Sequence, residues 1–229
     1  MVEKNFEDDI VNNLVQSGYK IRISENYQST RGLDSEILFQ FLNDSQPDEI
    51  SKIEHDFGAK SKEKITDTIN SEITQRGVID VTRNGIKIND TSLLFSYRKP
   101  QSQKNKTLSE LYQKNIFTVI RQLRFSQTTS ESIDLVIFLN GFPIATAELK
   151  DQFSKQTAED AKKQYMNRNT IEKLLPLPVE CSTRYLFPGP FCFVSRIILF
   201  TASHWWNLGN IIDSESIFDE SIFDFSTCR

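Results

Sequence analysis

The stretch Ser132–Lys150, SIDLVIFLNGFPIATAELK, leaves little freedom in how this chain folds. Two apolar runs, Leu135–Leu139 and Ile144–Ala147, flank Asn140-Gly141-Phe142-Pro143, a strong turn signal. The pattern predicts a β-hairpin. Asp134 opens its first strand, and Glu148 and Lys150 close its second. Polar groups at the open end of an apolar hairpin need partners, because each one left buried and unpaired costs about 1–3 kcal/mol.

Side chains alternate faces along a strand, so Glu148 and Lys150 share a face and Leu149 opposes them. A three-residue loop that pairs Leu139 with Pro143 sets Asp134 directly across from Glu148, on the same face. A one-residue slip moves Asp134 to the other side unless a bulge intervenes. In the expected register two carboxylates and an amine converge. Carboxylate oxygens suit Mg²⁺, a hard cation that also takes water and phosphate oxygens. Such a metal activates water and neutralises charge on an attacked phosphate, and a lysine there holds the water or stabilises developing charge. The competing reading is an ordinary hairpin with a surface Glu–Lys pair. The spacing D-x13-E-x-K does not by itself separate the two.

The remaining chain sets bounds. At 229 residues it can bury one good core and a small second unit. Apolar residues make up 38% and charged residues 25%, the balance of a soluble globular protein. Two histidines and three cysteines argue against a His/Cys zinc site, and the odd cysteine count favours reduced thiols in the cytoplasm. No signal peptide is visible and no apolar run approaches about 20 residues, so no membrane partner is expected. The net charge of −4 argues against a generic polyanion binder. Between Arg98 and Arg124, however, seven basic residues face one acid, Glu110. That excess suits either phosphate contacts or a solvated surface.

Apolar stripes predict helices at Phe6–Gln16, Asp34–Leu42, from Pro47 to Phe57, and at Lys62–Gln75, with Gly18, Gly58 and Gly77 at their ends. Glu7 sits in the first turn of the first, a position that the helix dipole favours. Tyr19–Ser24, Val78–Val81, Ile86–Ile88, Leu93–Tyr97 and Arg196–Ala202 read as strands. Leu108–Lys114 makes one or two helical turns. Phe117–Phe125 alternates as a long strand: Phe117, Val119, Arg121, Leu123 and Phe125 on one face, Thr118, Ile120, Gln122 and Arg124 on the other. It is expected to pair with Ile133–Leu139. Arg121 or Gln122 lines a nucleic-acid side, and alternation alone does not choose between them. His55 reads as structural or exposed, and Asp80 as a strand-edge aspartate near Arg83. His204-Trp205-Trp206 suits base stacking or core packing. Thr157–Arg168 is predicted helical, with a capping-box-like Thr157 and Asp160.

These features together resemble the PD-(D/E)xK nuclease superfamily, and more closely the N-terminal nuclease domain of the motor (R) subunit of type I restriction enzymes. Asn115-Ile-Phe-Thr-Val-Ile-Arg-Gln-Leu-Arg-Phe-Ser126 is similar to the family's N-x-x-x-V-x-R-Q-x-x-x-S segment. The hairpin matches I-D-L-V-x-F-x-N-G-x-P-x-x-x-x-E-L-K, and Gln156–Tyr165 resembles the helix that follows. Arg76-Gly77, Asp80-Val81 and Arg83-Asn84-Gly85 match an upstream segment. The likeness runs from about residue 5 to about residue 173.

The resemblance implies an α/β fold, a restriction-endonuclease-like nuclease core with a mixed central β-sheet flanked by helices. It implies Mg²⁺-dependent hydrolysis of double-stranded DNA, with site choice left to the modification and specificity subunits of the complex. Asp134 and Glu148 would ligate metal, with the Leu149 carbonyl as a further ligand, and Lys150 would position water. Glu7 would approach the metal from the first helix. Arg121, Gln122, Arg124, Gln164 and Arg168 would touch DNA. Two departures stand out: Asp151 replaces the family's more frequent asparagine, and Gln164 has Arg168 where a Q-x-x-x-Y element places tyrosine. No G-x-x-x-x-G-K-[ST] loop occurs, so no ATP binding by this chain is expected. The expected division is an endonuclease domain at 1–175 and an extension at 176–229 of truncated or foreign origin, acidic from Asn207 onward. A catalytically inert remnant that only docks partners or binds DNA, and a free-standing repair or resolvase-type nuclease, are the alternatives.

Overall fold

In a computed structural model, the backbone is described for residues 2–100, 105–125, 131–151, 179–185 and 195–202, and side chains for 7–100, 105–125, 131–147 and 149. The fold is α/β. Among these residues the strands are β1 (Lys20–Arg22), β2 (Ile86–Ile88), β3 (Thr91–Leu93), β4 (Phe117–Arg124), β5 (Ser132–Leu139), β6 (Phe142–Asp151), β7 (Val179–Tyr185) and β8 (Ser195–Ala202). The helices are α1 (Val2–Gln16), α2 (Ser35–Ser45), α3 (Pro47–Phe57), α4 (Ser61–Arg76), α5 (Val78–Asn84) and α6 (Lys106–Gln113). Six strands form a mixed sheet in the order β1-β4-β5-β6-β8-β7, and β2 and β3 pair separately. β1 runs parallel to β4, and the other neighbours are antiparallel.

Helix α1 lays Ile10, Val11 and Leu14 on one face of the sheet, against Val119, Leu135, Ile137, Leu139 and Ile144. Each such burial contributes about 1.5–3 kcal/mol. Tyr27, Ile120, Leu123, Phe125, Ile133, Val136 and Phe138 form a second cluster. The largest cluster joins α2 to α5 with Phe95, Ile116 and Phe142, near the hairpin turn. Asp34 caps α2 by accepting from the Ile37 N–H, and its buried carboxylate takes Nε of Arg22 at 2.9 Å. That ion pair ties β1 to α2.

The hairpin turn differs from the sequence expectation. Leu139 pairs with Phe142, not Pro143, so the loop has two residues. Asn140 (φ 51°) and Gly141 (φ 86°) both adopt the left-handed region, as a tight turn matching strand twist requires. A β-carbon on Gly141 would lie 2.4 Å from the Asp34 carbonyl oxygen. Asn140 is fully buried: its Nδ2 donates to the Phe95 carbonyl and to Asn115 Oδ1, and its Oδ1 accepts from the Ile116 N–H at 2.6 Å. Asn115 in turn bonds both backbone groups of Tyr97. Two asparagines of the family-like motifs are therefore structural.

Val78–Val81 is helical, not extended. Its β-branched residues suggest a strand, but Val78, Val81 and Thr82 are buried against the helical layer, and tertiary burial overrides the local preference. Arg76 bridges Glu72 and Asp80 on the solvent side, so Asp80 belongs to an ion pair with Arg76. The strand expected at Leu93–Tyr97 is confined to Thr91–Leu93. Strand β7 was not foreseen.

Asn140→Ala should lower unfolding free energy by about 3 kcal/mol, through buried groups left unpaired and an alanine held at positive φ. Urea denaturation followed by circular dichroism measures it. A loss below about 1 kcal/mol would show that the turn does not depend on this amide.

Candidate active site

Strands β4 and β5 keep one register from Phe117↔Leu139 to Arg124↔Ser132, yet Gln122 and Asp134, which face each other in it, drop out of the ladder. Gln122 has φ 47° in the middle of a strand. This breaks the alternation expected along β4. Leu123 and Phe125 pack with Ile120, not with Val119. The partner strand does the same: Ile133 packs with Val136 and Phe138, while Leu135 lies under α1.

Asp134 is half-buried at that interruption. Its Oδ1 accepts from Gln122 Nε2 at 3.1 Å. Its Oδ2 accepts from the Leu149 backbone N–H at 2.7 Å. The β5–β6 ladder ends at Leu135↔Ala147, so this side chain takes over where the strands part. A bulge at Ile144 shifts the register by one residue between Phe138↔Pro143 and Ile137↔Ala145. Continued by one residue past Ala147, the corrected register sets Asp134 across from Glu148. The backbone of β6 continues against β8 with Glu148↔Ile198, Leu149↔Ile197 and Lys150↔Arg196. Leu149 is buried and alternates with positions 148 and 150.

Glu7 reaches the same place from α1. It is buried, with Oε1 2.6 Å from Arg121 Nε and Oε2 3.4 Å from Gln122 Nε2. Arg121 Nη2 also pairs with Asp8 at 2.6 Å. The hydrogen bond that Arg121 donates to Glu7, ahead of the opposing effect of desolvation and the further bond it donates to Asp8, holds the arginine pKa above its ordinary value. Ser132 Oγ donates to Gln122 Oε1 at 2.9 Å. The amide of Gln122 thus bridges two carboxylates and a hydroxyl.

The structure brings together Glu7, Arg121, Gln122 and Asp134, with the Leu149 backbone beside them. Arg124 is exposed at the end of β4, with its N–H bonded to Ser24 Oγ. The side chains of Glu148 and Lys150, and all of Gln164, Arg168 and the 157–168 helix, lie outside the described residues. Among the described residues no three His, Cys, Asp or Glu side chains gather as a metal cluster. Sequence reasoning missed Asp8 and Ser132. The β4–β5 register, had it been fixed, pairs Ser132 with Arg124 and Asp134 with Gln122, and that is the signal that would have found the serine.

Basic residues of the 98–124 segment are partly engaged within the protein: Lys114 donates to the Asp44 carbonyl, and Arg121 pairs with Glu7 and Asp8. His55 is exposed. No helix among the described residues is long and apolar enough to cross a membrane.

The chain is similar to a putative type I restriction enzyme MjaVIIIP endonuclease subunit from Methanocaldococcus jannaschii, 30% identical over 161 residues. The match covers 67% of this chain and 15% of that protein. No solved structure matches. The family of the type I restriction enzyme R protein N terminus matches residues 1–196, past the point near residue 173 where the motif likeness fades. With most of its length inside that match, the chain belongs to the family of type I restriction enzyme R-protein N termini.

Proposed function

We propose that this chain is the DNA-cleaving module of a type I restriction enzyme R subunit, a PD-(D/E)xK-type endonuclease dependent on Mg²⁺. The observation that carries the reading is the placement of Asp134. Its carboxylate sits where β5 and β6 part and accepts from the Leu149 N–H, next in sequence to Glu148. Carboxylate oxygens are ligands that a hard cation takes, and Glu7 and Asp134 present theirs to a shared amide N–H₂ group.

Asp134 and Glu148 would hold the metal with the Leu149 carbonyl, and Glu7 would complete the oxygen set. Bound Mg²⁺ supplies polarisation of the phosphate and neutralisation of its charge. Lys150, two residues after Glu148, orients the attacking water and stabilises charge as the phosphodiester P–O bond breaks. Arg121 keeps Glu7 against the sheet. Arg124, with Gln164 and Arg168, contacts the DNA backbone. Cleavage has no sequence preference of its own, and modification and specificity subunits choose the site on double-stranded DNA in the cytoplasm. This chain matches about 15% of the length of the curated relative.

Magnesium-dependent nicking of supercoiled plasmid should fall roughly a hundredfold or more in both Asp134→Ala and Lys150→Ala. A folded parent that neither nicks nor binds Mg²⁺ would support the inert remnant instead. Metal binding without nicking would place the missing component in partner subunits.

Arg121 and Arg124 separate structural from DNA-facing cations. Arg124→Ala should lower the salt slope of DNA binding by about one and leave stability near the parent's. Arg121→Ala should cost about 2 kcal/mol of stability, because Glu7 is left buried without its partner. The reverse assignment in binding titrations and urea melts would show that Arg121 is the DNA contact.

A further inference from the structure

We propose that Gln122 is a positioning residue whose amide nitrogen stands between Glu7 and Asp134 and gives way when a divalent cation binds them. This rests on the site reading above. The amide offers two N–H donors, and the two carboxylates lie at 3.4 and 3.1 Å from its nitrogen. Ser132 Oγ donates to the amide oxygen at 2.9 Å. Both ends of the side chain are therefore engaged within the protein.

The backbone points the same way. A non-glycine residue at φ 47° within a strand is strained, and the facing ladder position is lost as well. The gain is direction: the altered pleat turns Gln122 to the end of the sheet where Glu7 and Asp134 meet. Gln122 is exposed, so a cation from solvent has access to the bridge. Arg121 grips the other oxygen of Glu7, so Glu7 keeps its place when the amide leaves.

The test is Mn²⁺ binding by calorimetry, with melting temperatures in EDTA and in Mn²⁺. Gln122→Met keeps the bulk and removes the donors, and should bind Mn²⁺ roughly fivefold more tightly than the parent. Gln122→Glu adds a carboxylate, and should bind about tenfold more tightly. It should also melt below the parent in EDTA and recover in Mn²⁺. Equal or weaker Mn²⁺ binding by a folded Gln122→Met variant, with parent binding still lost in Asp134→Ala, overturns the displacement role alone. A parent that binds no Mn²⁺, or an Asp134→Ala variant that binds it as the parent does, overturns the site reading and the displacement role together. Should Gln122→Glu fail to fold, Gln122→Met decides.

Discussion

The side-chain amide of Asn140 is buried without access to water, and its bonds reach three parts of the chain. Nδ2 donates to Phe95 and Asn115, Oδ1 accepts from Ile116, and the residue's own N–H donates to the Ile116 carbonyl. Asn140 also supplies the positive φ that a two-residue turn needs. Its neighbour Gly141 passes so close to α2 that its carbonyl accepts the Asp34 N–H at 2.9 Å. The hairpin tip, the start of β4 and the helical layer are thereby locked to one point. A strand pair whose turn is held this tightly cannot slip by a residue without breaking buried hydrogen bonds.

That constraint has a consequence at the far end of the hairpin. With Leu139 on Phe142, an unbroken ladder would set Asp134 opposite Ala147. The extra residue at Ile144 shifts the strand by one, and the next residue past Leu135↔Ala147 becomes Glu148. The bulge also keeps Ile144 in the core under α1, with Ala145, Ala147 and Leu149 following it there. A bulge inside a hairpin costs ladder hydrogen bonds, so it persists where the re-aimed residues matter. Here it joins a short, buried turn to the register that ends at Leu135↔Ala147.

The helices α2, α3 and α4 were legible because their apolar residues recur at helical spacing and their caps stand where the sequence places them. Gly58 and Gly77 close α3 and α4, and Asp34 caps α2. The hairpin was legible for the same reason, although its loop is one residue shorter than expected and a bulge follows it. Helix α5 was hidden because valine and isoleucine at 78–81 carry a strand preference that only packing reverses. The break at Gln122 was hidden because alternation assumes a regular pleat, and nothing in R-Q-L-R announces a left-handed residue. The structural asparagines were hidden in another way. Asn140 reads only as a turn residue and Asn115 only as a motif position, and nothing in the sequence shows that their amides bond backbone groups and each other.

The electrostatics of the interruption follow from the same geometry. Glu7, Asp8 and Asp134 bring three carboxylates to the end of the sheet, and Arg121 brings one guanidinium, a formal balance of −2. Arg121 is committed to the two acids of α1, which leaves Asp134 to a neutral amide and a backbone N–H. Unit charges a few ångströms apart interact by about 4 kcal/mol even at the effective dielectric of a protein surface. Dipoles alone therefore offset such a balance only in part. A divalent cation carries the opposite charge in full. In the proposed site Glu148 and Lys150 add one charge of each sign, so the formal balance is set by α1 and β5. On that reasoning the first helix is more than a lid on the core. By carrying Glu7 and Asp8 to Arg121, it fixes both the shape and the charge of the place where the hairpin opens.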